Sequence, residues 1–201
     1  MFDILTEPDL LRVGISAPVK ELDEVDIFIQ LHLLSKASIV EARLDLLLVC
    51  GASVQQREFL LETTGSIGCI VVFIDNPFND TSAILNVMLN VKGKLDSNQM
   101  PNNIDIADIK NLADQADYLL AFDSFAALQD FFDSAILDRF VGAIHLSHDN
   151  TDLETYEKQN QSIGKFLSSY AYFTSSVYLN GKAQCTVLLG MQSIIIEPQS
   201  Q

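Results

Sequence analysis

Two continuous apolar runs constrain the fold of this chain most strongly. One extends from Leu44 to Cys50, apolar apart from Asp45, and stops at Gly51, and the other extends from Cys69 to Ile74 and stops at Asn76-Pro77. Strands without polar alternation are typical of parallel sheets that helices cover on both faces. The segment between the runs, Ser53 to Gly65, begins with an N-cap residue and ends with a glycine, so it is predicted to be a helix. The three pieces predict a strand–helix–strand unit of an α/β protein.

Further helices are predicted on both sides of this unit. After Pro18, the segment Val19 to Ser35 has apolar residues at helical spacing. Further along, Asp80 is expected to cap a helix over residues 81 to 95. The apolar positions that define these helices are Leu22, Val25, Ile29 and Leu33 in the first, and Ile84, Leu85, Met88 and Leu89 in the second.

The second half of the chain alternates helices and strands. Thr151 and Glu154 have the spacing of a capping box, and Asn180-Gly181 predicts a hairpin between two tail strands. This half is therefore expected to form a mixed sheet. The predicted helices cover residues 105–117, 123–137 and 149–167, and the predicted strands cover Tyr118–Phe122, Phe140–His148, 170–179, 183–191 and 193–197.

Charge excludes several classes of partner. The formal net charge is -15, from 27 acidic and 12 basic residues. Such a surface repels nucleic-acid phosphates and anionic membranes. No apolar stretch approaches the length of a membrane span, and the first residues are acidic where a signal peptide needs basic ones. We therefore expect a protein partner, no nucleic acid and no membrane insertion.

The cysteines indicate a reducing compartment. Cys50, Cys69 and Cys185 are odd in number and widely spaced, so they form neither a disulfide framework nor a zinc pattern. Cys50 and Cys69 lie in apolar runs, where a free thiol behaves as a small apolar side chain. A cytoplasmic location is the simplest expectation.

A polar segment, PNNIDIADIK, interrupts the apolar pattern at residues 101 to 110. It places Asn103, Asp105 and Asp108 at a predicted loop-to-helix junction. One interpretation is structural, because Asn103 or Asp105 would cap the helix and Asp108 would lie favourably in the field of its dipole. Taken alone, the residues favour this structural interpretation, and a functional role stays open.

Four other stretches are collinear with NIDIADI, which covers Asn103 to Ile109. They are DLLLVCGA (45–52), GCIVVFIDNPF (68–78), VGAIHLSHDNTDLETYEKQNQSIGKF (141–166) and GKAQCTVLLGM (181–191). Together they resemble the tubulin/FtsZ family, in which NIDIADI corresponds to the catalytic or synergy loop. The resemblance implies a reduced tubulin/FtsZ-like fold. Residues 1–100 would be a degenerate nucleotide-domain-like α/β part, and residues 101–201 would hold the synergy-loop helix and a smaller mixed-sheet α+β part.

The chain departs from the family where the family binds GTP. There, closely spaced glycines after the first strand let backbone N–H groups point at phosphates. Here that strand is followed by CGASVQQREF, with Gly51 as its single glycine and the carboxylate of Glu58 close behind. The glycine-rich turn expected near the N-terminus is replaced by RVGISAP. The departures therefore imply no nucleotide cofactor and no catalytic residue in this chain.

The resemblance also implies a role for the polar segment. In the family the synergy loop enters the nucleotide pocket of the next subunit, where its carboxylates orient the attacking water. By resemblance, Asn103, Asp105 and Asp108 would face a neighbour's nucleotide. The chain would then be a non-catalytic relative that associates with or modulates a cell-division filament, with a filament-forming GTPase or a second copy as its partner.

Two other functions remain open from the sequence: an unrelated α/β interaction module or complex subunit, and an enzyme with an unrecognised site. The filament hypothesis predicts a long helix ahead of Pro101 that joins two sheets. The interaction module predicts one continuous sheet with an exposed apolar patch. The enzyme predicts a deep pocket with perturbed titratable groups.

Three further motifs have simpler structural interpretations. His145 and His148, beside Asp149, lie an odd number of residues apart on a strand, so their side chains are expected on opposite faces, one satisfied and one exposed. The segment Cys50 to Ser53 occupies the place of a nucleophile in α/β enzymes but lacks the elbow spacing. The acidic segment Lys20 to Asp26 lacks the spacing of a calcium loop and is expected to be a solvated helix face. We therefore predict no metal site.

Overall fold

The computed structural model of the chain describes residues 11–23, 25–97, 103–134, 139–148 and 151–193. Within these ranges the chain forms eight strands, six α-helices and one short 3-10 helix. The strands are β1 (Val13–Ala17), β2 (Phe28–Gln30), β3 (Leu46–Val49), β4 (Ile70–Asp75), β5 (Tyr118–Phe122), β6 (Phe140–His148), β7 (Leu167–Tyr178) and β8 (Cys185–Met191). The α-helices are α1 (Lys36–Ala42), α2 (Val54–Gly65), α3 (Thr81–Asp96), α4 (Ile106–Gln115), α5 (Phe125–Ser134) and α6 (Leu153–Gly164), and the 3-10 helix covers Leu31–Leu33.

All eight strands belong to one sheet, in the order β2-β1-β3-β4-β5-β8-β6-β7. The first five strands of that order are parallel to one another. β8 is antiparallel to both β5 and β6, and β7 is parallel to β6. The predicted α/β class is confirmed, with a parallel front half and a mixed-sheet back half. The division of the chain at residue 100 stays a prediction.

Helices cover both faces of the sheet. On the first face, α3 and α4 pack over one continuous apolar core that reaches from Val13 on β1 to Tyr178 on β7. On the second face the core is divided in two. The front cluster lies under α1 and α2, and the back cluster lies under α5 and α6.

The sheet wraps around α3. Lys92 on this helix is paired with Asp26, in the β1–β2 connection, whereas the next residue, Gly93, lies directly against the Tyr178 hydroxyl of β7. Lys92 and Gly93, which are adjacent on α3, therefore contact elements at the two opposite edges of the sheet. This enclosure explains why Lys94 is fully buried and donates from Nζ to the carbonyl oxygen of Val177 at 2.9 Å. The long helix ahead of Pro101 is present, but it joins two halves of one sheet and not two sheets.

The prediction of a helix from Val19 to Ser35 is wrong. The described part of that segment is a loop, then β2 and the 3-10 helix, and α1 begins only at Lys36. β2 forms because Phe28 and its neighbours extend the sheet beside β1, in register with Ile15. Sheet pairing overrides the helical spacing of the apolar residues, which pack on the sheet in an extended chain. β1 itself was not predicted.

The tail strands do not form the hairpin predicted at Asn180-Gly181. β6 lies between β7 and β8 and pairs with both of them. Eight of the nine residues of β6 are buried. A central position in the back half buries both faces and both edges of this apolar strand, which stabilises the fold more than an edge position would. Gly181 instead lies against the ring of His148, where a side chain would not fit.

The capping box predicted for Thr151 and Glu154 is also wrong. Asp152 caps α6, because its carboxylate accepts a hydrogen bond from the Thr155 backbone N–H at 2.8 Å. A carboxylate at the N-cap suits the positive end of the helix dipole. The strand predicted at 193–197 lies outside the described residues, apart from its first residue.

Candidate functional site

Two places on the molecule concern the functional hypotheses. The first is the edge of the sheet at the carboxyl ends of the parallel strands. There the strand order reverses, because β2 lies on one side of β1 and β3 lies on the other side. Ligands of open α/β sheets bind at such a reversal of strand order. The second place is the loop and first turn of α4, which hold Asn103, Asp105 and Asp108.

A cavity of about 290 Å³ opens at the carboxyl edge, and we call it the strand-end cleft. Its lining contains one carboxylate, that of Asp75, and no lysine or arginine. A phosphate group needs free N–H donors or a cation, so this lining is poorly matched to a nucleotide triphosphate. The lining residues are Pro18, Cys50, Gly51, Asp75, Asn76, Asn79, Thr81 and Ile84.

The Arg57 guanidinium is bound to Asp75, a residue of the cleft lining. It donates from Nη2 to both carboxylate oxygens of Asp75, at 2.7 and 2.8 Å, and from Nε to the carbonyl oxygen of Ala52 at 3.2 Å. The same group lies over the Phe73 ring, 5.1 Å from its centroid. These contacts join the first turn of α2 to the end of β4 and leave the guanidinium committed to the chain's own carboxylate.

The N-terminus of α2 is satisfied by its own side chains. Ser53 Oγ accepts from the Gln56 N–H at 3.3 Å, and Gln56 Oε1 accepts from the Ser53 N–H at 2.9 Å. This capping box consumes donors that a phosphate loop would direct at its ligand. The predicted N-cap at Ser53 is confirmed, and the capping box also gives this serine a structural role in place of a nucleophilic one.

Gly51 keeps the backbone close to Pro18. Its φ is +73°, and a Cβ there would come within 2.9 Å of the Pro18 Cγ. A glycine is needed for both reasons. The single glycine of this connection is therefore used for a tight chain crossing.

The loop after β4 is also tied internally. Asn76 Oδ1 accepts from the backbone N–H groups of Phe78 and Asp80, while its Nδ2 donates to the carbonyl oxygen of Ala121 at 2.8 Å. Asp80 caps α3 through the N–H groups of Ser82 and Ala83, as predicted. The polar groups on this side of the cleft thus stabilise the loop and the start of the helix.

Among the described residues, the charge that acts on the Cys50 thiol is the negative charge of Asp75, which does not activate it. Burial, with a further contribution from the Asp75 charge, raises its pKa to about 11. The nucleophilic form of a cysteine is the thiolate, which would be scarce at neutral pH. The surroundings of Cys50 therefore favour an inert, buried thiol.

The polar motif at residues 103–108 forms the start of α4. Asp105 is the N-cap and accepts from the N–H groups of Ala107 and Asp108, and Asp108 accepts in return from the Asp105 N–H at 2.8 Å. Ile104 is buried and anchors the loop, while Asn103 and Asp105 are exposed. The structural interpretation of this motif, helix capping by Asp105, is present in the structure.

Asp108 also links α4 to the sheet. It accepts a hydrogen bond from the Tyr172 hydroxyl on β7. Burial and the nearby Asp108 carboxylate raise the pKa of Tyr172 to about 12, which keeps the hydroxyl protonated as a donor. Sequence reasoning missed Tyr172, since its distance in sequence gave no sign of this pairing.

The cleft and the loop lie at different ends of the strands. Because β8 is antiparallel to both β5 and β6, strands β6 and β7 run in the direction of β1–β5. Tyr172 pairs with Gly142 near the start of β6, so Asp108 lies at the amino end of these strands, away from the carboxyl edge. One chain does not combine the two places into a single site.

The two histidines occupy opposite faces of β6, as expected. His145 contacts Asn160 of α6 from Nδ1 at 2.7 Å, and burial lowers its pKa to about 4. His148 contacts Ala183 and Thr186 at 3.1 Å on the other face. The expectation that one histidine is exposed is wrong, because Gly181 covers the ring of His148.

The remaining candidates show no metal centre. The described residues contain no group of three or more histidine, cysteine or acidic side chains arranged to hold an ion. The described part of the segment Lys20 to Asp26, expected as a helix face, belongs to the β1–β2 connection, where Asp26 pairs with Lys92. Asp149 lies outside the described residues. In the part of the chain that the structure describes, no helix is long and apolar enough to cross a membrane.

Comparison with known proteins gives partial structural likeness only. No protein-family model and no curated protein matches the chain. Three similar solved structures are a single-residue variant of FtsZ from M. jannaschii (17% identity, TM-score 0.43), an empty FtsZ dimer from the same organism (18%, 0.42) and CetZ from Methanosaeta thermophila (11%, 0.46). They cover 79%, 78% and 78% of this chain, which in turn spans 59%, 57% and 55% of theirs. At these values the comparison leaves the function open, and the α/β class rests on the sheet topology itself.

Proposed function

We propose that this chain is a non-catalytic, cytoplasmic protein of FtsZ/tubulin-like type that associates with a cytoskeletal filament and modulates it. The observation that carries the proposal is that the polar groups around the strand-end cleft are bound to one another. The Arg57–Asp75 pair, the Gly51–Pro18 crossing and the α2 capping box use the groups that a nucleotide would need. The chain would therefore act through contacts with another protein.

The surface around Asp105 supports the filament role. Asn103 and Asp105 are exposed at the start of α4, at the end of the strands away from the cleft. In the resemblance to the synergy loop, these side chains and Asp108 face the nucleotide of a neighbouring subunit. The chain would present this loop to a GTPase subunit and offer no nucleotide in return, so a filament would stop or weaken at that point.

Charge supports a protein partner. With a net charge of -15, the chain needs a partner surface that is basic or that brings its own cations. Nucleic acid and membrane insertion are not part of the proposal.

The experiment is a turnover assay with a filament-forming FtsZ. The chain is added at rising ratios, and GTP hydrolysis and light scattering are followed together. Asp105→Asn keeps the helix cap, since asparagine caps as well as aspartate, but removes the carboxylate. Asp114→Asn on the same helix is the matched control, because its exposed carboxylate pairs only locally with Lys110.

We expect the native chain and Asp114→Asn to change turnover and Asp105→Asn to lose that effect while remaining folded. Equal effects of all three proteins would contradict a role for the loop. The absence of any effect on turnover or assembly would leave the second candidate, an α/β protein-interaction module. That candidate is favoured by the single continuous sheet and by exposed apolar side chains such as Leu61.

A further inference from the structure

The second face of the sheet is incompletely covered over β4. The first face has one continuous core, but on the second face the front and back clusters are separate. On β4, Val72 and Ile74 point to the first face and are buried, whereas Val71 and Phe73 point to the second face, where they pack against the front cluster but are only half-buried. A central strand of a parallel sheet normally has helices on both of its faces.

Apolar side chains surround this opening, which we call the β4 groove. Ile74 pairs with Leu119, so Phe73 lies beside Tyr118 at the start of β5, and Tyr118 is 43% exposed. On α2, Val54 and Leu61 are 66% and 57% exposed. Large apolar residues with this exposure, gathered on neighbouring elements, are typical of an interaction surface.

Helical spacing directs the α2 residues toward the groove. Val54, Arg57 and Leu61 stand at positions i, i+3 and i+7, on one side of the helix. Arg57 reaches Asp75 and the Phe73 ring, so this side of α2 faces β4. Leu61 is one turn, about 6 Å, further along, and two strand residues span a similar distance of roughly 6.6 Å. Leu61 therefore lies on the same side of α2 as Arg57, one turn further along the helix.

The elements that border the groove are acidic. α2, β4, β5 and α5 carry five carboxylates and one cation, and the carboxylate of Asp75 already engages that cation, Arg57. The other four carboxylates are exposed on α2 and α5. They are Glu58, Glu62, Asp130 and Asp133.

We propose that the β4 groove binds an amphipathic helix of a partner protein, whose apolar stripe is flanked by lysine and arginine. A second helix would fit beside α2 on this face, where Val71 and Phe73 stay half-buried, and the six residues of β4 give the groove roughly 20 Å of length. The acidic border selects a basic partner and opposes a second copy of this chain, whose net charge is also strongly negative. The inference is independent of the proposed function, since none of its residues belongs to the loop at 103–108.

The test uses a fluorescein-labelled 15-residue helical peptide of leucine and lysine, with the leucines in one stripe, and fluorescence anisotropy as the readout. The variants Leu61→Ser and Tyr118→Ser remove apolar surface without changing charge. Leu153→Ser, at an exposed apolar residue on α6, is the matched control. We expect saturable 1:1 binding that each groove variant weakens by about tenfold and the control leaves unchanged.

A second pair of measurements separates charge from shape. Glu58→Gln with Glu62→Gln should weaken binding by roughly threefold and reduce its salt dependence. A peptide of leucine and glutamate should not bind. Equal binding by all variants would mean non-specific charge attraction and would overturn the proposal, as would no binding. Dimerisation of the chain that Leu61→Ser abolishes would also overturn it, since a second copy would then occupy the groove.

Discussion

The front and back halves of the sheet place their polar groups differently. In the front half, β3 is apolar through its length, β1 contains a single buried polar residue, Ser16, and the polar contacts lie at the strand ends, as in the Arg57–Asp75 pair. In the back half, polar side chains are buried within the strands themselves, among them His145 and Ser147 on β6. Polar contacts therefore lie mainly at the carboxyl edge of the sheet in the front half, whereas in the back half polar side chains belong to the core.

The largest expected effect concerns the buried histidine of the back half. His145 has a pKa of about 4 in the fold, below its ordinary value of 6.5, because burial opposes its charge. Between those values the unfolded chain binds more protons, so stability rises with pH across the window and is complete above 6.5. Lowering the pH from 7 to 4 should remove roughly 3 kcal/mol through this residue.

Urea unfolding at several pH values from 7 to 4 measures this loss. His145→Gln should flatten the pH dependence by that amount, and His32→Gln, at an exposed histidine, should leave it unchanged. A parallel pH dependence in native chain and His145→Gln would show that the acid sensitivity arises elsewhere.

The next effect concerns the edge of the front half. Arg57→Ala should lower the free energy of unfolding by about 2 kcal/mol, because it leaves the partly buried Asp75 carboxylate without its charged partner. A double-mutant cycle with Asp75→Asn measures the coupling by urea unfolding. Strictly additive changes would contradict the pairing as a stabilising contact.

A smaller effect is expected at the exposed start of α4. Asp105→Ala should cost about 1 kcal/mol because it removes the N-cap, whereas Asp105→Asn should cost only a few tenths. Thermal unfolding of the two variants side by side measures the difference. A large loss in the asparagine variant would show that the carboxylate charge, and not capping geometry, holds the helix.

The smallest effect concerns the link between α4 and β7. Tyr172→Phe removes the hydroxyl that donates to Asp108 and should cost roughly 0.5 to 1 kcal/mol. Tyr170→Phe is the control, since that side chain is 93% exposed. If both substitutions cost the same in urea unfolding, the contact with Asp108 contributes nothing to stability.

The same contrast explains how far the sequence predicts the structure. The strands and helices from β3 to β6 were predicted within a few residues at their ends, because apolar runs and caps such as Ser53 and Asp80 are local signals. β2 and the position of β6 between β7 and β8 depend on pairing with strands distant in sequence, which local patterns do not contain. Asn180-Gly181 is a turn sequence that favours a hairpin between β7 and β8. In the fold, β6 lies between these two strands, because this position buries β6.

The candidate site was predictable to a similar degree. The cap at Asp105 and its partner Asp108 follow from the spacing of the motif. The Arg57–Asp75 pair and the Tyr172–Asp108 contact join residues 18 and 64 positions apart and needed the fold. Burial of both histidines likewise follows from packing between elements.

One titration tests the central claim that the strand-end cleft is closed to nucleotide. GTP with magnesium is titrated into the chain by calorimetry, with a GTP-binding FtsZ as the positive control. The account predicts no saturable heat for this chain at millimolar GTP. Saturable binding in the micromolar range would contradict it, because Arg57, Ser53 and Gln56 would then have to release their present partners for the phosphates.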